Sequence, residues 1–255
     1  RCFWAVKTQQ LKIDQLYRRE ALAARPELLE RKKFEMDLEW HDELSKRAHE
    51  KGLQYGVTPF YPGCIAYLAE RVDFFKLSSY QILDRSIQAV VASEGLPVVL
   101  STGMANMKEC QEAVTALRAF GADDLTVLHC VSCYPAPTDE LNLAAIEMLR
   151  REFSCKVGWS DHTVSPTVVR AAIWRWDSEL VEMHWDLQDE AGEEWKHSWR
   201  PSLMAELKGW MHDFPSSDLA RFDGHGSKIP ARCELEERKW RSDPSDGLRP
   251  IKGTL

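Results

Sequence analysis

The sequence lacks any long apolar run. None of its apolar segments approaches the roughly 20 residues that a membrane-spanning helix requires. The first ten residues also lack the charged-then-apolar order of a signal peptide. We therefore expect a soluble, cytoplasmic protein.

An excess of positive charge is absent as well. The chain has 33 Lys and Arg residues against 40 Asp and Glu residues, which gives a formal net charge of -7. Nucleic acids and anionic membrane surfaces attract clustered cations, so the balance argues against both as partners. Internal repeats and low-complexity segments do not stand out, which argues against a repeat architecture.

Paired cysteine motifs are scarce. The seven cysteines are scattered at positions 2, 64, 110, 130, 133, 155 and 233. Cys130 and Cys133 form a single CxxC, which is weak evidence for a metal or redox site without a second such pair. We expect reduced thiols that serve as small buried side chains.

The chain does contain a regular alternation of short apolar runs with amphipathic stretches, which is typical of repeated βα units and a parallel sheet. Seven strands are predicted: Phe3–Lys7, Gln54–Thr58, Phe74–Leu77, Val98–Ser101, Leu125–Cys130, Lys156–Ser160 and Leu180–His184. Seven helices are predicted between and after them: Met36–Lys51, Pro62–Glu70, Asp84–Ser93, Met107–Phe120, Asn142–Glu152, Ser165–Trp176 and Ser202–Phe214.

This pattern predicts an α/β fold, a (β/α)8 TIM barrel whose first βα unit is absent from the chain. A barrel commonly uses about 250 residues in one domain, close to the 255 present here. An open seven-stranded sheet is the competing architecture. We expect the barrel domain to span residues 1–214 and residues 215–255 to form an extended tail, not a separate domain. The charged segment Gln10–Lys33 is expected to form a helical lid.

Polar side chains stand at or just after the end of nearly every predicted strand, where the chemistry of a parallel barrel is located. They include Lys7, Gln9, Thr58, Lys76, Ser79, Ser101, Ser132, Tyr134, Ser160, Glu182 and His184. Two lysines among several hydroxyls suit a small ligand with a phosphate and a carboxylate. The alternative for each Ser or Thr is a helix N-cap.

Two histidines end adjacent predicted strands. The imidazoles of His162 and His184 are therefore placed to bind one divalent ion, because nitrogen ligands suit Mn, Zn or Fe. Hydrogen-bonded histidines without a metal are the alternative. His129 lies inside an apolar strand and is predicted to be a core histidine.

Several strings together resemble the sialic acid synthase family, also called the N-acetylneuraminate synthase or NeuB-like family. They are KLSS at Lys76, LSTGM at Leu100, LHCVSCYPAP at Leu128, GWSDHT at Gly158 and VEMH at Val181, preceded by AVKTQ at Ala5. They follow the family's order and spacing up to about Phe214. The resemblance is to a short form, without the antifreeze-like domain of the family.

The resemblance implies an aldol-type condensation of phosphoenolpyruvate with an N-acetylated hexosamine similar to N-acetylmannosamine, giving a nine-carbon 2-keto sugar acid and phosphate. It implies Mn²⁺ or Mg²⁺ as cofactor and a homodimer as the assembly. By similarity, Lys7, Thr58, Lys76, Ser79, Ser101 and Ser160 bind phosphoenolpyruvate, His162 and His184 bind the metal, and Gln9 and Tyr134 face the sugar. Lys76, His162 and His184 are the expected catalytic residues.

Some positions depart from the family. Gln81 replaces an acidic residue and Tyr80 replaces a glycine, whereas Ser132 stands where many members have Asn. Glu194 only loosely matches a sugar-contacting Asp. The family's first strand, which brings a catalytic-site Glu, is not seen. A legionaminic or pseudaminic acid type of synthase, or a non-catalytic relative that binds a sugar or a protein partner, are therefore alternatives.

Overall fold

The computed structural model describes residues 3–187, 195–210 and 217–254. The chain folds into two compact units. The first consists of Arg1–Leu100, Glu109–Leu125 and Arg238–Leu255, and the second of Ser101–Lys108 and Thr126–Glu237. None of the described helices is long and apolar enough to cross a membrane.

The first unit is built on parallel strands that pair in chain order. Its strands are β1 (Ala5–Gln10), β2 (Gln54–Pro59), β3 (Phe74–Leu77) and β4 (Val98–Ser101), of which β4 ends at the start of the second unit. Its helices are α1 (Ile13–Leu16), α2 (Arg19–Ala24), α3 (Trp40–Glu50), α4 (Ile65–Ala69), α5 (Arg85–Ser93) and most of α6 (Met107–Ala119), with a 3-10 helix at Pro26–Phe34. All residues of β3 and β4 are buried, as expected of strands covered on both faces.

The second unit continues the same pattern. Its strands β5 (Leu125–Cys130), β6 (Lys156–Asp161) and β7 (Val181–Met183) again pair in parallel and in chain order. Its helices are α7 (Ala145–Phe153), α8 (Pro166–Arg170), which continues as a π-helical turn at Ala171–Arg175, and α9 (Pro201–Trp210). The order of the strands does not reverse inside either unit, whereas a doubly wound open sheet reverses at its switch point.

Most predicted elements lie within a few residues of their expected bounds, but β1 differs. It begins at Ala5 and continues to Gln10, so Lys7 and Gln9 lie within the strand and not after it. Only Gln10 is buried in this strand. Because β1 contains no continuous apolar run, the sequence-based prediction ended this strand three residues too early.

The segment after β1 is helical, as predicted, and packs on the C-terminal residues of the chain. A buried cluster of Leu11, Ile13, Leu16, Tyr17 and Leu28 has Trp240 packed against it. The two backbones also pair, because Arg249 donates to the Leu16 carbonyl (2.9 Å) and Arg18 donates to the Arg249 carbonyl (2.8 Å). The predicted domain boundary at residue 214 falls outside the described residues and stays a prediction.

Candidate functional site

The first unit carries five of the predicted ligand-binding residues. Gln9 and Thr58 are direct register partners on β1 and β2. Thr58, Lys76 and Ser79 are all buried, with at most 5% of each residue exposed, whereas Lys7 is half-buried and Gln9 is exposed. The Lys76 ammonium donates a hydrogen bond to the Leu77 carbonyl (2.9 Å) at the end of β3. A cation and two hydroxyls are therefore held in sheltered positions at the ends of β2 and β3.

The side chain of Gln81 links two loops of the first unit. Its side-chain oxygen accepts from the backbone N–H (2.9 Å) and hydroxyl (3.1 Å) of Ser78, and its amide donates to the Pro59 carbonyl (2.6 Å). An amide can donate and accept at once, whereas an ionised carboxylate could not donate to Pro59. Gln81 therefore links the chain after β2 to the chain after β3.

The neighbouring Tyr80 is contacted by C-terminal residues of the first unit. The Arg249 guanidinium lies 4.3 Å from the centre of the Tyr80 ring and 5.1 Å from that of Phe60. Ser242 also donates its backbone N–H to the Tyr80 carbonyl (2.8 Å). The bulky ring is thus an anchor point for residues 238–254.

In the second unit, Glu182 joins two predicted phosphoenolpyruvate ligands. One carboxylate oxygen accepts from the hydroxyl of Ser160 (2.8 Å), its register partner, and from that of Ser101 (3.3 Å). Glu182 was noted among the strand-end polar residues but was not among the predicted site residues. Its carboxylate therefore sets the orientation of both serine hydroxyls.

The histidine pair comes together as predicted. The ring centres of His162 and His184 are 5.2 Å apart, and the Tyr134 ring lies 4.3 Å from His162 and 6.0 Å from His184. His197 joins this cluster, with its ring centre 4.9 Å from both Tyr134 and His184. The sequence-based prediction missed His197, which follows the second histidine by 13 residues and carries no separate signal.

The orientation of His162 is set by its backbone surroundings. Its Nδ1 lies 2.9 Å from the Val131 carbonyl oxygen, so Nδ1 carries a proton and Nε2 is the nitrogen able to bind a cation. Burial disfavours a charged imidazole, but the Cys130 sulfur, 3.7 Å away, and the Val131 carbonyl raise the pKa of His162 to about 9. A bound divalent cation would displace the Nε2 proton, as metals do at histidine ligands.

The neighbouring Asp161 holds this end of β6 in place. It is fully buried, and its carboxylate accepts hydrogen bonds from the indole N–H groups of Trp159 (3.0 Å) and Trp199 (2.8 Å). It also accepts from the Thr163 hydroxyl (2.7 Å) and the Val164 backbone (3.1 Å). The SDHT string therefore places a buried, fully hydrogen-bonded acid directly before His162, the predicted metal ligand.

The predicted metal site consists of two imidazoles, those of His162 and His184. Among the described residues, no group of three or more His, Cys, Asp or Glu side chains is arranged to hold a metal. Two protein nitrogens with the remaining positions left to substrate or water suit an ion that polarises a ligand. Glu194, the loosely matched sugar contact, lies outside the described residues.

The prediction that the cysteines are all reduced thiols is wrong for two of them. Cys133 and Cys233 form a disulfide that joins residues 100 positions apart in the second unit. A pairing at this distance has no local signal in the sequence, which explains the error. Cys64, Cys110 and Cys130 are buried and not disulfide-bonded, in agreement with the expectation.

His129 is buried, as predicted for a core histidine. Its Nε2 donates to the Leu141 carbonyl (2.8 Å), and its ring packs against Trp159 with 5.3 Å between centres. Burial lowers the pKa of His129 to about 3, and the positive charge of Lys228 acts in the same direction. This histidine is therefore neutral at physiological pH and takes no part in the cluster.

Comparison with known proteins relates this arrangement to one family. The sequence profile described as the NeuB family matches residues 4–216. An N,N'-diacetyllegionaminic acid synthase of Campylobacter jejuni is 34% identical over 179 residues, which cover 69% of this chain and 53% of that protein. A pseudaminic acid synthase of Helicobacter pylori is 34% identical over 128 residues, covering 50% of this chain and 38% of that protein. The chain thus spans about half the length of the curated relatives that it matches, or less.

Solved structures confirm the fold class. A sialic acid synthetase of Leptospira borgpetersenii, crystallised with citrate, superimposes with a TM-score of 0.72 and 27% identity. The match covers 92% of this chain and 79% of that one. The predicted α/β barrel architecture is therefore correct, and the open doubly wound alternative is excluded.

Proposed function

Because the chain belongs to the NeuB family, we propose that it acts as a sialic-acid-type synthase dependent on phosphoenolpyruvate. The reaction condenses phosphoenolpyruvate with the open-chain aldehyde of an N-acetylated hexosamine. Carbon 3 of phosphoenolpyruvate forms a bond to the aldehyde carbon, and water adds at carbon 2. The bond from carbon 2 to the phosphate oxygen then breaks, which releases phosphate and a nine-carbon 2-keto acid. A cytoplasmic location and a homodimeric state belong to the same proposal.

Phosphoenolpyruvate is held by cations and hydroxyls at strand ends. Lys7 and Lys76 neutralise its phosphate and carboxylate, and the hydroxyls of Thr58 and Ser79 donate hydrogen bonds to its oxygens. The Ser101 and Ser160 hydroxyls, which donate to Glu182 in the structure, turn to donate to phosphoenolpyruvate when it binds. The burial of Lys76 supports this role, since a sheltered ammonium interacts strongly with an anion. Glu182 keeps the two serines of the second unit in position.

The sugar aldehyde is oriented by the second unit's aromatic and histidine side chains. His162 and His184 hold a divalent ion, Mn²⁺ or Mg²⁺, which supplies Lewis-acid polarisation of the aldehyde oxygen when bound. Tyr134 packs beside both imidazoles. Tyr134, Ser132, Gln9 and Glu194 are the proposed contacts of the sugar. Lys76, His162 and His184 are the proposed catalytic residues.

One observation carries this proposal: the 5.2 Å approach of the His162 and His184 rings at the ends of β6 and β7. Because His162 uses Nδ1 for the Val131 carbonyl, its Nε2 is the nitrogen that meets a cation. Histidines with separate structural roles need not lie beside one another and beside the same tyrosine at two strand ends.

The test is phosphate release from phosphoenolpyruvate, measured with and without Mn²⁺ and with and without an N-acetylhexosamine. We expect release that requires both, together with a product whose mass equals the sum of a 2-keto three-carbon unit and the sugar. The acceptors tested are N-acetylmannosamine, its 6-phosphate, and the diacetamido sugars that legionaminic and pseudaminic acid synthases use. Absence of release with every acceptor would leave the non-catalytic, sugar- or partner-binding alternative.

A further inference from the structure

The carboxylate of Glu234 is buried against two loops of the second unit. Only 1% of the residue is exposed. One carboxylate oxygen accepts from the backbone N–H of Met104 (2.7 Å) and from that of Ser132 (2.6 Å), whereas the other accepts from Ala231 (2.8 Å). A single side chain near the C-terminus thus bridges the loop after β4 and the loop after β5.

Met104 and Ser132 donate their backbone N–H groups to the same buried Glu234 oxygen. Met104 is fully buried and has a left-handed backbone conformation, with φ at +61°, which costs energy for a residue other than glycine. Leaving a buried backbone N–H unsatisfied is costly, so the Glu234 oxygen that accepts from both N–H groups stabilises the two loops. The carboxylate therefore holds the STGM turn in its strained conformation.

The same segment is bound covalently to the loop after β5. Cys233 forms the disulfide with Cys133, which lies between Ser132 and Tyr134. The loop is fixed on its far side as well, because Ala136 donates its backbone N–H to the His162 carbonyl (3.0 Å). Glu234 and Cys233 therefore fix residues 132–134 on one side, and the hydrogen bond from Ala136 to His162 fixes the loop on the other.

We propose that Glu234 is a positioning residue that sets Ser132 and Tyr134 for the acceptor sugar. The proposal rests on the proposed function for the identity of the substrate. Glu234 touches neither reactant. It acts through the Ser132 backbone, and the Tyr134 ring that this loop carries packs 4.3 Å from His162.

Glu234→Ala and Glu234→Gln separate positioning from general stability. The amide of Gln keeps an oxygen for Met104 and Ser132 and loses only the bond to Ala231, so it should retain the loop positions. Glu234→Ala removes all three acceptor contacts. Glu236→Gln, an exposed carboxylate two residues further on, is the matched control.

In the full-length protein, Glu234→Ala should raise KM for the hexosamine at least tenfold and leave KM for phosphoenolpyruvate within twofold of the unsubstituted value. Glu234→Gln and Glu236→Gln should leave both constants within threefold. A purely structural residue would lower only the amount of folded, active enzyme. Unchanged KM for both substrates in Glu234→Ala would therefore overturn the proposal.

Hydrogen exchange tests whether Glu234 holds the two loops, and it requires no enzymatic activity. Peptides that cover residues 101–108 and 128–137 should exchange faster in Glu234→Ala, while those of α7 should not change. If Glu234→Ala fails to fold, Glu234→Asp replaces it, because the shorter carboxylate cannot reach both donors. Unchanged exchange in both loops would refute the positioning role of Glu234, even in an active enzyme. Faster exchange in a protein that shows no synthase activity would refute only the proposed function.

Discussion

Lys76 has a cationic side chain that is only 3% exposed, on a strand whose other residues are apolar. Removing an ammonium from water is costly, so a buried lysine indicates that its charge interacts with a specific group. The string FFKLSS was enough to predict the position. Its hydrogen bond to Leu77 was not predictable, because it depends on the rotamer adopted at the end of β3.

Lys76→Ala should raise KM for phosphoenolpyruvate by roughly 10- to 100-fold, because a hydrogen bond to a charged group contributes about 1.5–3 kcal/mol. Steady-state kinetics with each substrate varied in turn measures the effect. Lys46→Ala, which removes an exposed lysine of α3, is the control and should change neither constant. An effect confined to the sugar would contradict the assignment.

His129 makes the stability of the protein depend on pH. Its folded-state pKa of about 3 lies below the ordinary value of 6.5, so the unfolded chain binds the proton more readily. The contribution of His129 to stability should therefore be complete above pH 6.5 and fall by about 1.4 kcal/mol per pH unit below it. Urea unfolding between pH 5 and 6.5 tests this, with His129→Gln as the comparison. An equal slope in the variant would assign the pH dependence to other groups.

At the level of elements, β6 and β7 approach closely because Gly158 has no side chain. A methyl group there would lie 1.9 Å from the Leu180 carbonyl oxygen. This close contact keeps Ser160 opposite Glu182 and brings the ends of both strands, with His162 and His184, together. The glycine of GWSDHT thus has a packing function that its motif alone does not reveal.

Gly158→Ala should destabilise the protein by about 3 kcal/mol, since overpacked sites of this kind push the backbone apart. Denaturant unfolding gives the value. Gly63→Ala is the control, because a methyl group at Gly63 would meet only the Tyr61 ring at an ordinary distance of 3.7 Å. Equal stability of the two variants would mean that β6 and β7 separate without cost.

The helices and strands could be predicted because their signals are local. Apolar periods and caps mark them, as at α5, where Asp84 accepts from the Ile87 backbone as the N-cap (3.1 Å). Contacts made by the C-terminal residues have no such signal. Glu234, Cys233 and Arg249 contact loops that precede them by about 100 residues or more in sequence, so their roles depend on the tertiary fold.

Across the whole molecule, the C-terminal residues do not form one uniform tail. Residues 217–237 belong to the second unit and residues from Arg238 onward to the first. In the first unit, Arg18 forms a bidentate pair with Asp246 (both 2.8 Å) and approaches Asp243 at 3.4 Å. Bidentate geometry and low exposure make this pair stronger than an ordinary surface salt bridge.

Arg18→Ala should destabilise the protein by about 1–3 kcal/mol and expose residues 238–254 to proteolysis, because it removes the anchoring charge and leaves buried Asp243 with less compensation. Limited trypsin digestion followed by mass spectrometry detects the loss. Arg25→Ala removes an exposed pair with Glu27 and should change stability by less than about 1 kcal/mol. Identical digestion patterns would show that the tail is held by its apolar contacts alone.

The most direct test of the central claim is Mn²⁺ binding, measured by titration calorimetry on the unsubstituted protein, His162→Ala and His49→Ala. We predict one bound ion per chain, at least about 100-fold weaker binding in His162→Ala, and unchanged binding in His49→Ala, whose histidine is exposed and pairs with Asp73 (2.8 Å). Undiminished Mn²⁺ affinity in His162→Ala would contradict the assignment of the histidine pair as the metal site.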